Sequence, residues 1–188
     1  MKILKPNKDG IGEALTILAA GGVIAHATET CYGLACDLSN PKAVARLFHL
    51  KQRAGDQPIS ALFASVEDAK RYVVWNERAE ELADEYLPGP LTLILPIRND
   101  ALHQLFPTPN GGESLGVRVS PHPVALELAK KFGRPLSTTS ANRSGGPNPY
   151  SAAEIEQPDL ILDSGTLPPT PPSRVIDLTK GSEAVLRG

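Results

Sequence analysis

Cysteine is scarce in this chain, with only Cys31 and Cys36 present. Two are too few for a disulfide scaffold, and no nearby cysteine or histidine set completes a zinc site around them. They read as reduced thiols of a cytoplasmic protein. Long hydrophobic runs are missing too: no apolar stretch approaches the length of a membrane span. Charge of either sign is not in excess. Lys and Arg number 19 against 21 Asp and Glu, a formal net charge of −2. No overall basic field calls for nucleic acid, although a local basic face is compatible with that balance. Met1-Lys2-Ile3-Leu4-Lys5-Pro6 is broken by charge and proline and does not suit a signal peptide. No internal repeat is present.

The familiar chemical motifs are absent as well. There is no GxxxxGK[ST] phosphate loop and no GxGxxG dinucleotide fingerprint. There is no GxSxG nucleophile elbow and no HExxH metal helix. The four histidines (His26, His49, His103 and His122) are scattered and form no evident triad or metal set. A nucleotide handled by this chain therefore needs an unusual site.

What is present is an ordinary globular composition, 41% hydrophobic and 21% charged over 188 residues, enough for one domain with a real core. One stretch organises the rest: Ser137-Thr138-Thr139-Ser140-Ala141-Asn142-Arg143-Ser144-Gly145-Gly146. Its hydroxyls, amide and backbone N–H groups are suited to phosphate oxygens, and its glycines allow close approach. The same composition also makes an ordinary polar loop.

The elements can be read in order. Asp9 is placed to cap a helix through about Ala20, stopped by Gly21-Gly22. Residues 23–27 read as a buried strand ending in Thr28-Glu29-Thr30-Cys31-Tyr32-Gly33-Leu34, either a plain β-turn or a ligand contact at a strand end. Asn40-Pro41 opens a helix that runs out at Leu50. Lys51 and Arg53 follow; they either complement the helix C-terminus or form a two-cation clamp for polyphosphate. Residues 58–63 read as a strand, Ser65 opens a short helix, and a further helix spans Glu77 to Tyr86 before Pro88-Gly89-Pro90. Strands follow at 91–97 and 115–119, the second carrying Arg118 in an apolar run. That arginine either snorkels to the edge or faces an anion. Ser120-Pro121 starts a helix that Gly133 ends. Residues 135–138 form the strand before the organising loop. Ser151 caps a short helix, Gly165–Pro172 with its four prolines is an extended connector, and late strands cover 160–162, 173–178 and 184–186. Some connections are too short for simple βαβ crossovers. The expected fold is therefore mixed α/β (α+β), a twisted, mixed open sheet flanked by helices in a single domain spanning 1–188.

Taken jointly, Thr28-Glu29-Thr30-x-Tyr32-Gly33-Leu34, Lys51-x-Arg53, Pro88-Gly89-Pro90-x-Thr92, Val117-Arg118-Val119, Ser140-Ala141-Asn142-x-Ser144-Gly145 and Leu186-Arg187-Gly188 resemble the YrdC/TsaC family of threonylcarbamoyl-AMP synthases, in its short bacterial form. The resemblance covers essentially the whole chain. It implies a YrdC-like fold, similar to that of dihydroxybutanone phosphate synthase. It also implies a nucleotidyltransferase reaction: L-threonine, bicarbonate or CO2, and ATP give threonylcarbamoyl-AMP and pyrophosphate. The product would serve N6-threonylcarbamoyladenosine (t6A) formation at position 37 of tRNAs reading codons that begin with A, completed by TsaD, TsaB and TsaE partners. By the same resemblance, Lys51 and Arg53 are catalytic. They hold ATP, with Mg²⁺, together with Ser114, Ser140, Asn142, Asn148 and Arg187. Arg118 takes the threonine carboxylate, and Thr30, Thr138 and Ser173 contact the rest of threonine. No protein nucleophile is required.

The chain departs from the family pattern at Ala27 and Thr139, where proline is usual, at Leu62, where histidine is usual, and at Ala54-Gly55-Asp56-Gln57. An RNA-binding module of the same fold is the alternative, and weak tRNA binding is compatible with either reading. A binder needs basic side chains on a face and does not need Thr30, Arg118, Ser140 and Asn142 in one pocket. Hydrogenase-maturation relatives would carry zinc-finger and acylphosphatase regions, and a sugar-phosphate enzyme would want an acidic metal cluster; neither is found here.

Overall fold

A computed structural model describes residues 1–53, 59–102, 104–108, 112–180 and 183–187. Its centre is one sheet of ten strands among the described residues, ordered β1-β8-β2-β3-β7-β4-β6-β5-β9-β10. In chain order these are β1 (Lys2–Leu4), β2 (Ile24–Ala27), β3 (Tyr32–Ala35), β4 (Ser60–Leu62), β5 (Leu91–Pro96), β6 (Ser114–Arg118), β7 (Leu136–Ser140), β8 (Leu160–Leu162), β9 (Arg174–Asp177) and β10 (Ala184–Arg187). Four neighbouring pairs are parallel and five antiparallel, which makes the sheet mixed. The strand that feeds the organising loop, β7, lies between β3 and β4 in the middle of the sheet.

Alternation of side chains divides the core in two. Ile24, Ala35, Leu62, Leu136, Leu160 and Leu162 face one side. There they pack on helix α1 (Lys8–Ala19), through Ile11, Ala14 and Leu18, and on α5 (Pro123–Phe132), through Val124, Ala125 and Leu128. Their neighbours Ala25, Leu34, Ala61 and Ile161 face the other side, with α2 (Pro41–Lys51) and α4 (Glu77–Tyr86). The short helix α3 (Val66–Lys70) adds Ala69 to that second core.

Local chemistry sets the helix starts. The Asn40 side chain accepts from the Lys42 and Ala43 amides, with Pro41 at the first helical position. Ser65 caps α3 by accepting from the Asp68 amide, as its sequence pattern predicts. Two expected starts are shifted. Asn7, not Asp9, caps α1, accepting from the Gly10 amide at 2.9 Å, while Asp9 sits in the first turn where its charge favours the helix N-terminus. His122, not Ser120, caps α5, and the first helical position goes to Pro123 rather than Pro121. Ser151 caps no backbone amide; its hydroxyl donates to Glu154, which in turn accepts from the Tyr150 amide, so a single 3-10 turn forms at Ala152–Glu154. Strand β1 has no counterpart in the sequence reading, because three residues broken by lysine carry no period; parallel pairing with β8 makes it a strand. The expected strand residue Pro58 and His103 lie outside the described residues.

Candidate active site

On the α1/α5 side, the strand positions two residues on from Ala35, Leu62 and Leu136 are Gly33, Ser60 and Thr138. They line a cleft of about 500 Å³ instead of the helix core. Its floor crosses the sheet from β3 to β10, adding Thr92 and Ile94 of β5, Arg118 of β6, Ser140 of β7, Val175 of β9 and Arg187 of β10. Small side chains keep this floor low. Beside Ser60 on the neighbouring strand, Gly116 has no room for a side chain: a Cβ there would lie 2.4 Å from Ser60 Oγ.

Lys51, the last residue of α2, is buried at 3% exposure and crosses to the organising loop. Its ammonium donates to the Ser140 carbonyl at 2.5 Å and the Asn142 carbonyl at 2.8 Å. The Ser144 amide donates back to the Lys51 carbonyl at 2.9 Å. The lysine thus shapes the loop and lines the cleft at once, and its bonds go to a distant loop, not to the carbonyls of its own helix. Burial, reinforced by the Arg53 charge, lowers its pKa to about 8. The Asn142 amide nitrogen donates to the Gly146 carbonyl, closing the loop on itself.

Arg118 ends β6 with 8% exposure. Its guanidinium donates to Glu29, whose other carboxylate oxygen accepts from the Ser120 hydroxyl. Its Nε is buried without a hydrogen-bond partner. Glu29 is presented by the turn between β2 and β3. There the Thr28 hydroxyl donates to the Cys31 carbonyl at 2.7 Å and accepts from the Thr30 and Cys31 amides. Across the cleft, Arg187 donates to the Ser173 carbonyl at 2.7 Å and hydroxyl at 2.9 Å, and that hydroxyl lies 3.3 Å from Thr92 Oγ1. Pairing of β10 with β9 therefore pins a cation at the chain's end. Burial and the nearby Arg118 charge hold the Arg187 pKa below its ordinary value. Two cations facing one polar cleft suit it to an anionic ligand.

Ten of the eleven residues expected at a site line this one cleft: Thr30, Lys51, Arg53, Arg118, Thr138, Ser140, Asn142, Asn148, Ser173 and Arg187. Ser114 is not among the lining residues. It begins β6, four residues before Arg118 and so about 13 Å along the strand. Cys31 and Ser60 also line the cleft without having been singled out for it, as do Thr92 and Ser144, which were quoted only within motifs. Glu29 was quoted only as part of a motif, although a carboxylate just past a strand end was the available signal. Of the departures, Thr139 lines the cleft, whereas Ala27 and Leu62 are buried in the two cores. Gln57 lies outside the described residues. A second cavity of about 730 Å³, with Leu34, Phe48, Leu50 and Pro147 in its walls, adjoins the cleft and shares Arg53 and Asn142 with it. Among the described residues no cluster of three or more His, Cys, Asp or Glu side chains could hold a metal ion. No helix among them is long and apolar enough to cross a membrane.

Fold and cleft together define a mixed α/β protein with a polar, cation-lined cleft on the open face of its sheet. The family model for Sua5, YciO and YrdC, described as "Telomere recombination", matches residues 16–188. The chain belongs to that family. It is 34% identical over 148 residues to the threonylcarbamoyl-AMP synthase of Vibrio campbellii, covering 77% of this chain and 78% of that one. It is 35% identical over 183 residues to the threonylcarbamoyl-AMP synthase of Pyrococcus abyssi, covering 93% of this chain and only 52% of that longer protein. The crystal structure of Pyrococcus abyssi Sua5 complexed with L-threonine superposes with a TM-score of 0.87 at 33% identity, over 99% of this chain and 56% of that one.

Proposed function

We propose that this chain is a threonylcarbamoyl-AMP synthase. It converts L-threonine, bicarbonate or CO2, and ATP into L-threonylcarbamoyl-AMP and pyrophosphate, the activated intermediate for t6A at tRNA position 37. The observation that carries the reading is the convergence of Lys51, Arg53, Arg118 and Arg187 with Thr30, Thr138, Ser140 and Ser173 on one cleft. An RNA-binding surface does not need that set of hydroxyls and cations in one cleft.

The chemistry needs positioning and charge more than a nucleophile. The threonine amine, as the free base, adds to CO2 and loses a proton, giving a carbamate; from bicarbonate, that proton leaves with hydroxide as water. A carbamate oxygen then attacks the α-phosphorus of ATP, and the bond from that phosphorus to the bridging oxygen breaks as pyrophosphate departs. Lys51, Arg53 and Arg187 neutralise the charge that builds on the phosphates, with Ser140, Asn142 and Asn148 as further polar contacts and Mg²⁺ entering with the nucleotide. Arg118 receives the threonine carboxylate, for which a planar donor fork is suited. Thr30, Thr138 and Ser173 surround the remainder of the amino acid. Choice of threonine over serine rests on packing one methyl group, worth about 1–3 kcal/mol. Ser114 contacts nucleotide in this scheme only if the base extends toward the start of β6. Transfer of the product to tRNA belongs to partner proteins of the TsaD, TsaB and TsaE type.

The test is pyrophosphate release from Mg·ATP with threonine and bicarbonate each present or omitted, plus mass spectrometry of the nucleotide product. Release that needs both co-substrates, with a product of threonylcarbamoyl-AMP mass, is expected. Release indifferent to threonine overturns the reading.

A further inference from the structure

The mechanism gives Arg118 a ligand but leaves Glu29 without a task, although this carboxylate is the group to which the arginine is tied. An arginine side chain has four rotatable bonds, and a guanidinium receives a carboxylate well only when its plane is set before the ligand arrives. Three features set that plane here. Glu29 takes one guanidinium nitrogen. Its second oxygen is anchored by Ser120, a residue 1% exposed whose hydroxyl also accepts from the His122 amide at 3.2 Å, at the start of α5. The backbone carrying Glu29 is closed by Thr28, which makes hydrogen bonds to both Thr30 and Cys31. The carboxylate is therefore fixed on two sides, unlike a mobile group that merely fills the ligand's place. It binds a terminal nitrogen of the fork and leaves the buried Arg118 Nε unpartnered. That orphan donor is what an incoming carboxylate would satisfy.

We infer that Glu29 is the positioning residue for carboxylate recognition, holding the Arg118 guanidinium so that its Nε–H edge is presented to the carboxylate of the amino-acid substrate. The inference rests on the threonine reading of the cleft. Glu29 also lowers the net charge between Arg118 and Arg187, so two facing cations can be kept ready without a bound anion. Its effect is thus confined to the amino-acid end of the cleft and does not extend to the phosphate end around Lys51 and Arg53.

The experiment compares wild type, Glu29→Ala and Glu29→Gln. Binding of L-threonine is followed by calorimetry, steady-state constants are measured for threonine and ATP separately, and the Arg Nε–H cross-peaks are followed by NMR. For Glu29→Ala, threonine affinity is expected to fall roughly tenfold or more, with the KM for ATP changed by less than about twofold. The Arg118 Nε–H signal should lose its protection from exchange even without ligand. Glu29→Gln keeps the acceptor oxygen and should recover most of the threonine affinity. An unchanged threonine affinity in Glu29→Ala overturns the inference, as does an equal loss for both substrates accompanied by a lowered Tm. Wild-type protein that binds no threonine overturns the reading of the cleft itself, and the Arg118 signal then still reports whether Glu29 holds the arginine.

Discussion

Lys51 and Arg53 sit two residues apart and act differently. Lys51 is buried and supplies donors to two loop carbonyls, whereas Arg53 lies beyond the helix end with its guanidinium 6.0 Å from the Phe48 ring centre. Replacing Lys51 with Ala leaves those carbonyls without their donor, at about 1–3 kcal/mol for each buried group. Lys51→Ala should therefore lose both activity and thermal stability. Arg53→Ala should lose roughly a hundredfold in kcat/KM, the scale on which a charge-stabilising donor acts. Activity profiles and thermal melts of the two variants separate these outcomes. The lowered Lys51 value of about 8 adds a pH signature. Below it the ammonium is charged; above it the cation is lost, so kcat/KM should fall as pH rises through about 8. Stability should move the other way: between about 8 and the ordinary lysine value near 10.4, the folded state holds fewer protons than the unfolded one, and stability rises with pH. A pH–rate profile flat through that range would remove Lys51 from the charge-stabilising set.

At the level of elements, the connector after β8 is held by tyrosines at both ends. The fully buried Tyr32 of β3 donates its hydroxyl to the Gly165 carbonyl at 2.7 Å and accepts from the Ser164 amide at 2.9 Å. Tyr150 donates its hydroxyl to the Thr170 carbonyl at 3.3 Å and accepts the Leu167 amide on its carbonyl at 2.8 Å. This segment leads directly to Pro172 and Ser173 at the cleft. Tyr32→Phe leaves two backbone groups unmet and should cost about 1–3 kcal/mol. Amide exchange should accelerate over 164–173 before it does elsewhere. Uniform acceleration across all strands would mean that Tyr32 acts through the core alone. The prolines announced an extended connector, but nothing in their spacing named the tyrosines that hold it.

For the whole molecule, the sheet between its two apolar layers also buries an ionisable group. His26 of β2 is fully buried, donates Nδ1–H to the Ala27 carbonyl at 3.1 Å, and has no partner at Nε2. Burial is the main cause of a pKa lowered from 6.5 to about 4, with the neighbouring His122 adding to it. The folded state keeps this imidazole neutral where the unfolded chain would protonate it. Stability should thus be fully present above pH 6.5 and decline as pH falls toward about 4, by roughly 3 kcal/mol in all. Chemical denaturation at a series of pH values measures this, and in His26→Phe the part of the slope due to this residue should vanish.

The sequence by itself determined the local grammar of this protein. Asn40-Pro41 starts a helix, Gly133 ends one, Pro88-Gly89-Pro90 terminates another, and the strand alternation marks two faces. Resemblance to a family supplied the residues of the cleft, because side-chain chemistry at fixed order is visible without coordinates. Tertiary structure decided what those residues touch. Lys51 meets the Ser140 carbonyl across 89 positions of sequence, and Glu29 meets Arg118 across another 89. Both contacts depend on β7 settling between β3 and β4, and on β6 settling beside β4. That strand order is fixed by burial of the two apolar faces over the whole sheet, a non-local free energy that no short window of sequence contains. The shifted caps at Asn7 and His122 show the same division at small scale: several residues nearby can cap a helix, and packing of the helix onto the sheet selects which one does.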